Sequence, residues 1–290
     1  MMKILVIGAL STASIYFAQT YPVSAIPENL KKNADVVIRK DFTTVLINKI
    51  DEIKYQYNTV TTVLNKDGDS KALIYIPYKK GDNISDVKVT VYDESGKKIK
   101  SFSKSDFGDF ANNTQGVFYS DSRILALSYT SAYYPYTVDF SYQRTDENTI
   151  FIPDFVPFSS PNESLEESQF KIIINPMLFL SKSSNEFDQA DERKYPIDFI
   201  SSFTKVKKVI LEIPEGYVIE TMPKNKKIVT DDKEIEYSYV AEQKGNKLEV
   251  ISTIKTASPD YPKEYYPAFK QIWGTASKSE NQVISLVRKS

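Results

Sequence analysis

Apolar and polar residues alternate along much of the chain. Ile53, Tyr55, Tyr57, Thr59, Thr61 and Val63 share one parity, which places them on one face of a β-strand. "NKDGDS" follows, then a second β-rich run, "ALIYIPY", and Asp67-Gly68 between two such runs predicts a hairpin. "DVKVTVYDESGKKIKSF" repeats the plan: Val87, Val89 and Val91 line one face, "DESG" turns, and Lys97 to Phe102 returns. In "YYPYTVDFSYQ", Tyr134, Tyr136, Val138, Phe140 and Tyr142 face one way, and Pro135, Thr137, Asp139, Ser141 and Gln143 the other. Pro135 lacks an N–H for a ladder, so it marks a sheet edge or a strand start.

"NEFDQADERKYPIDF", from Asn185 to Phe199, interrupts this texture with an acidic, partly basic stretch. Strands resume over Val206–Ile213, Tyr217–Met222, Glu234–Val240 and Lys247–Lys255, with "IPEGY" and "EQKGNK" as turns. From Pro262 to Ala276 the period changes: Tyr265, Phe269, Ile272, Trp273 and Ala276 fall at helical spacing, with Pro262 suited to a helix start and Gly274 a point of weakness or an end. "QVISLV" reads as a last strand. The predicted fold is mainly β: two antiparallel β-sandwich-like domains, the second with a carboxy-terminal helix. The first spans residues 35–170 and the second 200–290, each with its own core, and 171–199 is a connector with a short strand.

The chain opens "MMKILVIGALSTASIYFAQTYPVSA": one Lys, then an apolar run from Ile4 to Phe17, a signal-peptide pattern too short for a membrane span. Cleavage after Ala18 gives the better apolar length, with Tyr16 a poor residue at −3. Cleavage after Ala25 puts Val23 and Ala25 in better places, but Pro27 follows closely. Residues 1–18 are taken as the signal peptide, and the product as exported, periplasmic or extracellular. No other run approaches the ~20 apolar residues of a membrane helix.

Composition narrows the chemistry. Of 290 residues, 41% are hydrophobic and 26% charged, which is the balance of a globular chain. The net charge is −1, with Lys and Arg spread along the chain rather than gathered in one tract, which argues against a nucleic-acid footprint. There is no Cys and no His. That removes disulfides, thiolate nucleophiles, lipid attachment at Cys, the commonest transition-metal ligands and any Ser–His or Cys–His catalytic arrangement. No cofactor or metal is expected. "NKDGDS" could pass for an acidic calcium loop, but it lacks the later bidentate Glu and the full ligand spacing, and a turn is the better reading.

Two blocks carry a resemblance. "ADVVIRKDFTTVLINKIDEIKYQYNTVTTVLNKDGD", "VKVTVYDESGKKIKSFSKSDFGD", "YSDSRI", "YPYTVDFSYQ" and "TIFIPDFVPFSSPNESLEESQFKI" resemble the β-sandwich domain of unknown function that precedes a transglutaminase-like core in exported bacterial proteins. "INPMLF…DERKYPIDF…VILEIPEGYVIETMPKNKKI…EYYPAFKQI" resembles the β domain that follows the same core. The departure is large: the first block ends near Phe170, the second begins near Ile174, and the Cys–His–Asp core is missing between them. The resemblance therefore implies the flanking domains without the catalytic one, and "NEFDQADERKYPIDF" resembles the connector that leads into the last domain.

Three functions follow. The first is a non-catalytic accessory or binding protein of the cell envelope, with an envelope protein or glycan as partner. The second is a glycan- or peptide-binding module that uses some of the 20 Tyr, centred on Tyr133, Tyr134 and Tyr136 within "SYTSAYYPYTVDFSY". Alternating aromatics usually face a core, and Tyr133, off the Tyr134 face, is the better candidate for exposure. The third is a carboxylate-only hydrolase, for which acid pairs such as Asp191-Glu192 would serve; with 38 Asp and Glu such pairs are expected on solvated loops. The first needs no catalysis and fits the missing Cys and His.

Overall fold

The computed structural model describes residues 20–112, 121–147, 161–181, 187 and 193–289. The signal-peptide segment therefore lies outside the described residues. A 3₁₀ turn (Val23–Ala25) and a one-turn helix α1 (Glu28–Lys31) come first, followed by the long strands β1 (Val36–Lys49) and β2 (Glu52–Val63). Then come β3 (Ile74–Lys79), β4 (Asn83–Tyr92), β5 (Lys98–Ser103), β6 (Gly108–Ala111), β7 (Ser122–Leu127) and β8 (Tyr136–Asp146). β9 (Glu163–Leu165), β10 (Ser168–Ile174), β11 (Ile197–Asp198), β12 (Phe203–Glu212), β13 (Val218–Thr221) and β14 (Lys226–Val229) continue the chain. It ends with β15 (Ile235–Lys244), β16 (Lys247–Thr256), β17 (Asp260–Tyr261), helix α2 (Tyr266–Glu280) and β18 (Ile284–Lys289).

The fold is mainly β, with stacked antiparallel sheets and the expected carboxy-terminal helix. The largest sheet runs β13-β18-β10-β1-β2-β8-β4-β5, with β9 also on β1. β1 pairs in parallel with β10 and β9; the other strand pairs are antiparallel. A three-stranded sheet, β3-β7-β6, covers one end of its core face, where Ile74, Ile76 and Leu125 meet Val89, Val91, Tyr136, Val138 and Phe140. At the other end lie the four-stranded sheet β12-β16-β15-β14 and α2.

The alternation read from the sequence survives. Ile53, Tyr55 and Val63 are buried from β2, and Tyr136, Val138, Phe140 and Tyr142 from β8. Val60, Thr62 and Thr137, on the opposite parity, are buried too. Nearby, Val23, Ile26, Leu30 and Ala34 pack with Val37 on the reverse face of β1, so the amino-terminal segment supplies a second covering layer.

Three expectations need correction. Asp67-Gly68 does not close a hairpin: residues Lys66–Ser70 form a 3₁₀ helix capped by the Asn65 side chain, and β3 pairs with β7, not β2. Gly68 is required there, because a Cβ would lie 2.5 Å from the Asp35 carbonyl oxygen. Gly274 does not end α2, which runs on to Glu280.

The two halves also do not bury separate cores. Val45, Ile47, Ile53 and Tyr55 from β1 and β2 lie in one cluster with Tyr237, Leu248, Phe269 and Trp273. β18 pairs with β10, which itself pairs with β1, so the end of the chain completes the sheet that its beginning starts. Of "NEFDQADERKYPIDF", residues 185, 186 and 188–192 lie outside the described residues. Phe187 within it is buried, and Tyr266 Oη donates to its carbonyl at 3.1 Å.

Candidate functional site

The three tyrosines singled out in the sequence line one groove of about 1040 Å³. Three pieces of chain that are far apart in sequence build it.

The first wall is the amino-terminal segment, which contributes Val23, Ser24, Glu28 and Lys31. Tyr21, Val23 and Ile26 anchor it by burial. Arg39 clamps it: its Nη1 donates to the Pro22 carbonyl at 3.2 Å, its Nε pairs with Glu166 at 3.2 Å, and its guanidinium stands 5.4 Å from the Tyr21 ring centre.

The second wall is the turn between β4 and β5, with Asp93, Glu94 and Ser95, and then Ile99. The Asp93 carboxylate accepts from Ser95 N–H and Oγ and from Lys97 N–H, at 2.9, 2.6 and 3.0 Å, and these bonds hold it below the usual carboxylate range. Val23 N–H donates to the Glu94 carbonyl at 2.9 Å, joining the two walls. Gly96 sits at φ +83, where a Cβ would also come within 2.9 Å of Pro22 N, so glycine is needed for the walls to meet.

The third piece is the loop from Tyr129 into β8. Tyr136 begins the strand with its ring buried, Tyr134 is half-buried, and Tyr133 is 84% exposed. One carboxylate fixes the two inner tyrosines: Asp69 accepts from Tyr134 Oη at 2.5 Å and from Tyr136 Oη at 2.9 Å. This bonding, with burial the larger cause for Tyr136, pushes both phenols up, so both remain protonated donors. The Tyr129 ring meets Tyr136 edge-on, centroids 6.1 Å apart. The result is a rigid aromatic floor from which Tyr133 projects.

The three predicted tyrosines thus have different surroundings. Tyr136 is a core residue, Tyr134 a half-buried member of the floor, and Tyr133 a free aromatic face. Sequence reading missed Ile99, which is 51% exposed beside the groove, and Asp69, which holds the floor. A lone apolar residue between lysines in "KKIKS" was the available signal for Ile99; nothing local marks Asp69 as a partner of residues 65 and 67 positions away. The rim carries Glu28, Asp93 and Glu94 against Lys31 alone, and Lys31 is paired with Glu28 at 2.6 Å.

Asp191 and Glu192, the acid pair considered for hydrolysis, lie outside the described residues. Among the described residues no group of three or more Asp and Glu could hold a metal ion, and no helix is long and apolar enough to cross a membrane.

Comparison with known proteins gives families of unstated activity. Residues 170–286 match the domain of unknown function with solved structure DUF3858. No curated protein matches the chain. A crystal structure described as a "putative protease" from Parabacteroides distasonis aligns with 87% of this chain and 99% of its own, at 7% identity and a TM-score of 0.40. Residues 51–200, more than half of the 290, match the domain of unknown function with solved structure DUF3857, and the chain belongs to that family.

Proposed function

We propose that this chain is a non-catalytic binding protein of the cell envelope, and that it holds a glycan in the groove beside Tyr133. The observation that carries the reading is the exposure of Tyr133, at 84%, over a floor of tyrosines fixed by Asp69. An exposed ring on a rigid support stacks on the apolar face of a sugar at little entropic cost. Three acids against one Lys on the rim disfavour acidic polymers, so the ligand is an uncharged or amine-bearing glycan rather than an acidic one.

The non-catalytic part rests on the absence of Cys and His from the 290 residues. It is also supported by the two family matches, which overlap over residues 170–200 and leave no segment between them. In the architecture that the two blocks resemble, a transglutaminase-like core would stand there. The best-formed acid in the groove, Asp93, is held ionised by its turn, the opposite of what a general acid needs. Export is inferred from the signal-peptide pattern.

Co-sedimentation with insoluble chitin tests the reading. Wild-type protein should pellet with the polymer, and Tyr133→Ala should stay in solution with an unchanged melting temperature. Equal pelleting of both proteins would remove Tyr133 from the site, and no pelleting of either would remove the uncharged-glycan reading.

A further inference from the structure

A second cavity, unrelated to the tyrosine groove, lies between the inner face of β12-β16-β15 and helix α2. Its volume is about 130 Å³. An apolar cavity of about 150 Å³ accommodates one benzene ring, so the space suits a single six-membered ring. The walls fit one as well: Phe199, Phe203, Ile254, Trp273 and Ala276 supply apolar surface.

The charges inside are already matched. Lys207 Nζ lies 2.6 Å from Glu280 Oε2, and Ser252 Oγ donates to Glu280 Oε1 at 2.7 Å, with Glu280 buried. This set offers a ligand no net charge. Lys205, two residues from Lys207 on the same face of β12, is different. Of the described lining residues it alone is exposed, and no ion pair engages it among the described residues. It therefore marks the mouth and leaves one uncompensated cation there.

We propose that this cavity binds an aromatic carboxylate, with the ring among Phe203, Ile254 and Trp273 and the carboxylate at Lys205. A free arylalkanoic acid and the carboxyl-terminal Phe of a peptide share this chemistry. An arylalkyl amine does not, because Lys205 repels it.

Trp273 is the chain's only tryptophan and lines the cavity, so its fluorescence reports occupancy directly. The experiment titrates the full chain with 3-phenylpropionate, with N-acetyl-Gly-Phe bearing a free carboxylate, and with 3-phenylpropanamide and 2-phenylethylamine as controls. A saturable change is expected with at least one carboxylate, weaker with the amide and absent with the amine. The carboxylate that binds identifies the source, free acid or chain terminus. Lys205→Gln, an exposed change that leaves the core alone, should weaken carboxylate binding roughly fivefold, the scale of an exposed ion pair, and leave the amide unchanged. Ala276→Leu should fill the cavity and abolish both; if it does not fold, Ile254→Phe serves the same purpose. No saturable response to either carboxylate, equal binding of carboxylate and amine, or unchanged carboxylate binding in Lys205→Gln would each overturn the proposal.

Discussion

Phe187 and Trp273 meet edge to face, with ring centroids 5.1 Å apart and planes at 77°. One belongs to the connector and the other to α2. Phe187 also lies 5.1 Å from Phe269, centroid to centroid, so the connector is pinned to the helix that covers the shared core. Trp273→Ala and Phe187→Ala should each cost about 3–5 kcal/mol, the range for removing a buried aromatic. The double variant should cost less than their sum by about 0.5–1.5 kcal/mol, the worth of an aromatic pair. Because β1 and β2 contribute to the same cluster, circular dichroism should show one transition for the whole chain, shifted as a unit by either substitution. Two separate transitions, with only the later one moved, would show that the halves fold apart.

Thr62 and Thr137 form a second informative pair. Their hydroxyl oxygens are 2.8 Å apart and both side chains are fully buried beneath the amino-terminal segment. Replacing one by Val strands the other hydroxyl away from water, at about 1–3 kcal/mol. Replacing both removes the unmet demand, so the double variant should be more stable than either single one. Urea titration of the three variants checks this, and additive losses would contradict it.

Asp41 gives the fold a pH dependence. By register it lies in line with Thr59, Phe140 and Val89, on the core face of the sheet, and burial pushes its carboxyl up to about 6. An unfolded Asp titrates near ~3.9. Between these values the folded chain keeps a proton that the unfolded chain releases, so stability falls as pH rises from about 4 to 6 and is level above. Since Asp41 retains partial access to water, the effect is about 1–2 kcal/mol rather than the full linkage value. Asp41→Asn should be more stable than wild type by that amount at pH 7.5 and equal to it near pH 4. A constant difference across this range would assign the gain to packing instead.

If the chain is exported as proposed, its amino terminus is expected at Gln19. Cleavage after Ala25 would remove Tyr21 and Val23, which are 5% and 6% exposed in the fold, and the Pro22 carbonyl that Arg39 binds. Intact mass of envelope-fraction protein distinguishes the two, and a start at Ile26 would contradict this reading.

Much of the β pattern was legible because burial on one face writes itself into parity, as in Ile53–Tyr55 and Tyr136–Val138–Phe140. The phase of α2 was legible for the same reason, through Phe269, Ile272 and Trp273. Strand partners were not. Nothing in "QVISLV" states that it will join β10, and a turn signal at Asp67-Gly68 says only that the chain bends, not that β3 returns to β2. β14 was not legible because "KKIV" is short and half lysine. Thr62 and Thr137 fall on the polar parity of their strands, and parity alone does not show that a separate segment covers that face. At the groove, parity singled out Tyr133. The Asp69 clamp beneath it depends on residues brought together only by the fold.

The central claim is that Tyr133 on its fixed floor is a glycan seat. Calorimetric titration of soluble N-acetylglucosamine oligomers and of their deacetylated forms into the full chain tests it most directly. Wild type should bind one or both with favourable enthalpy, and Tyr133→Ala should bind roughly tenfold more weakly, equivalent to about 1.4 kcal/mol, with its melting temperature unchanged. No heat with either oligomer, or equal affinity in wild type and Tyr133→Ala, would contradict it.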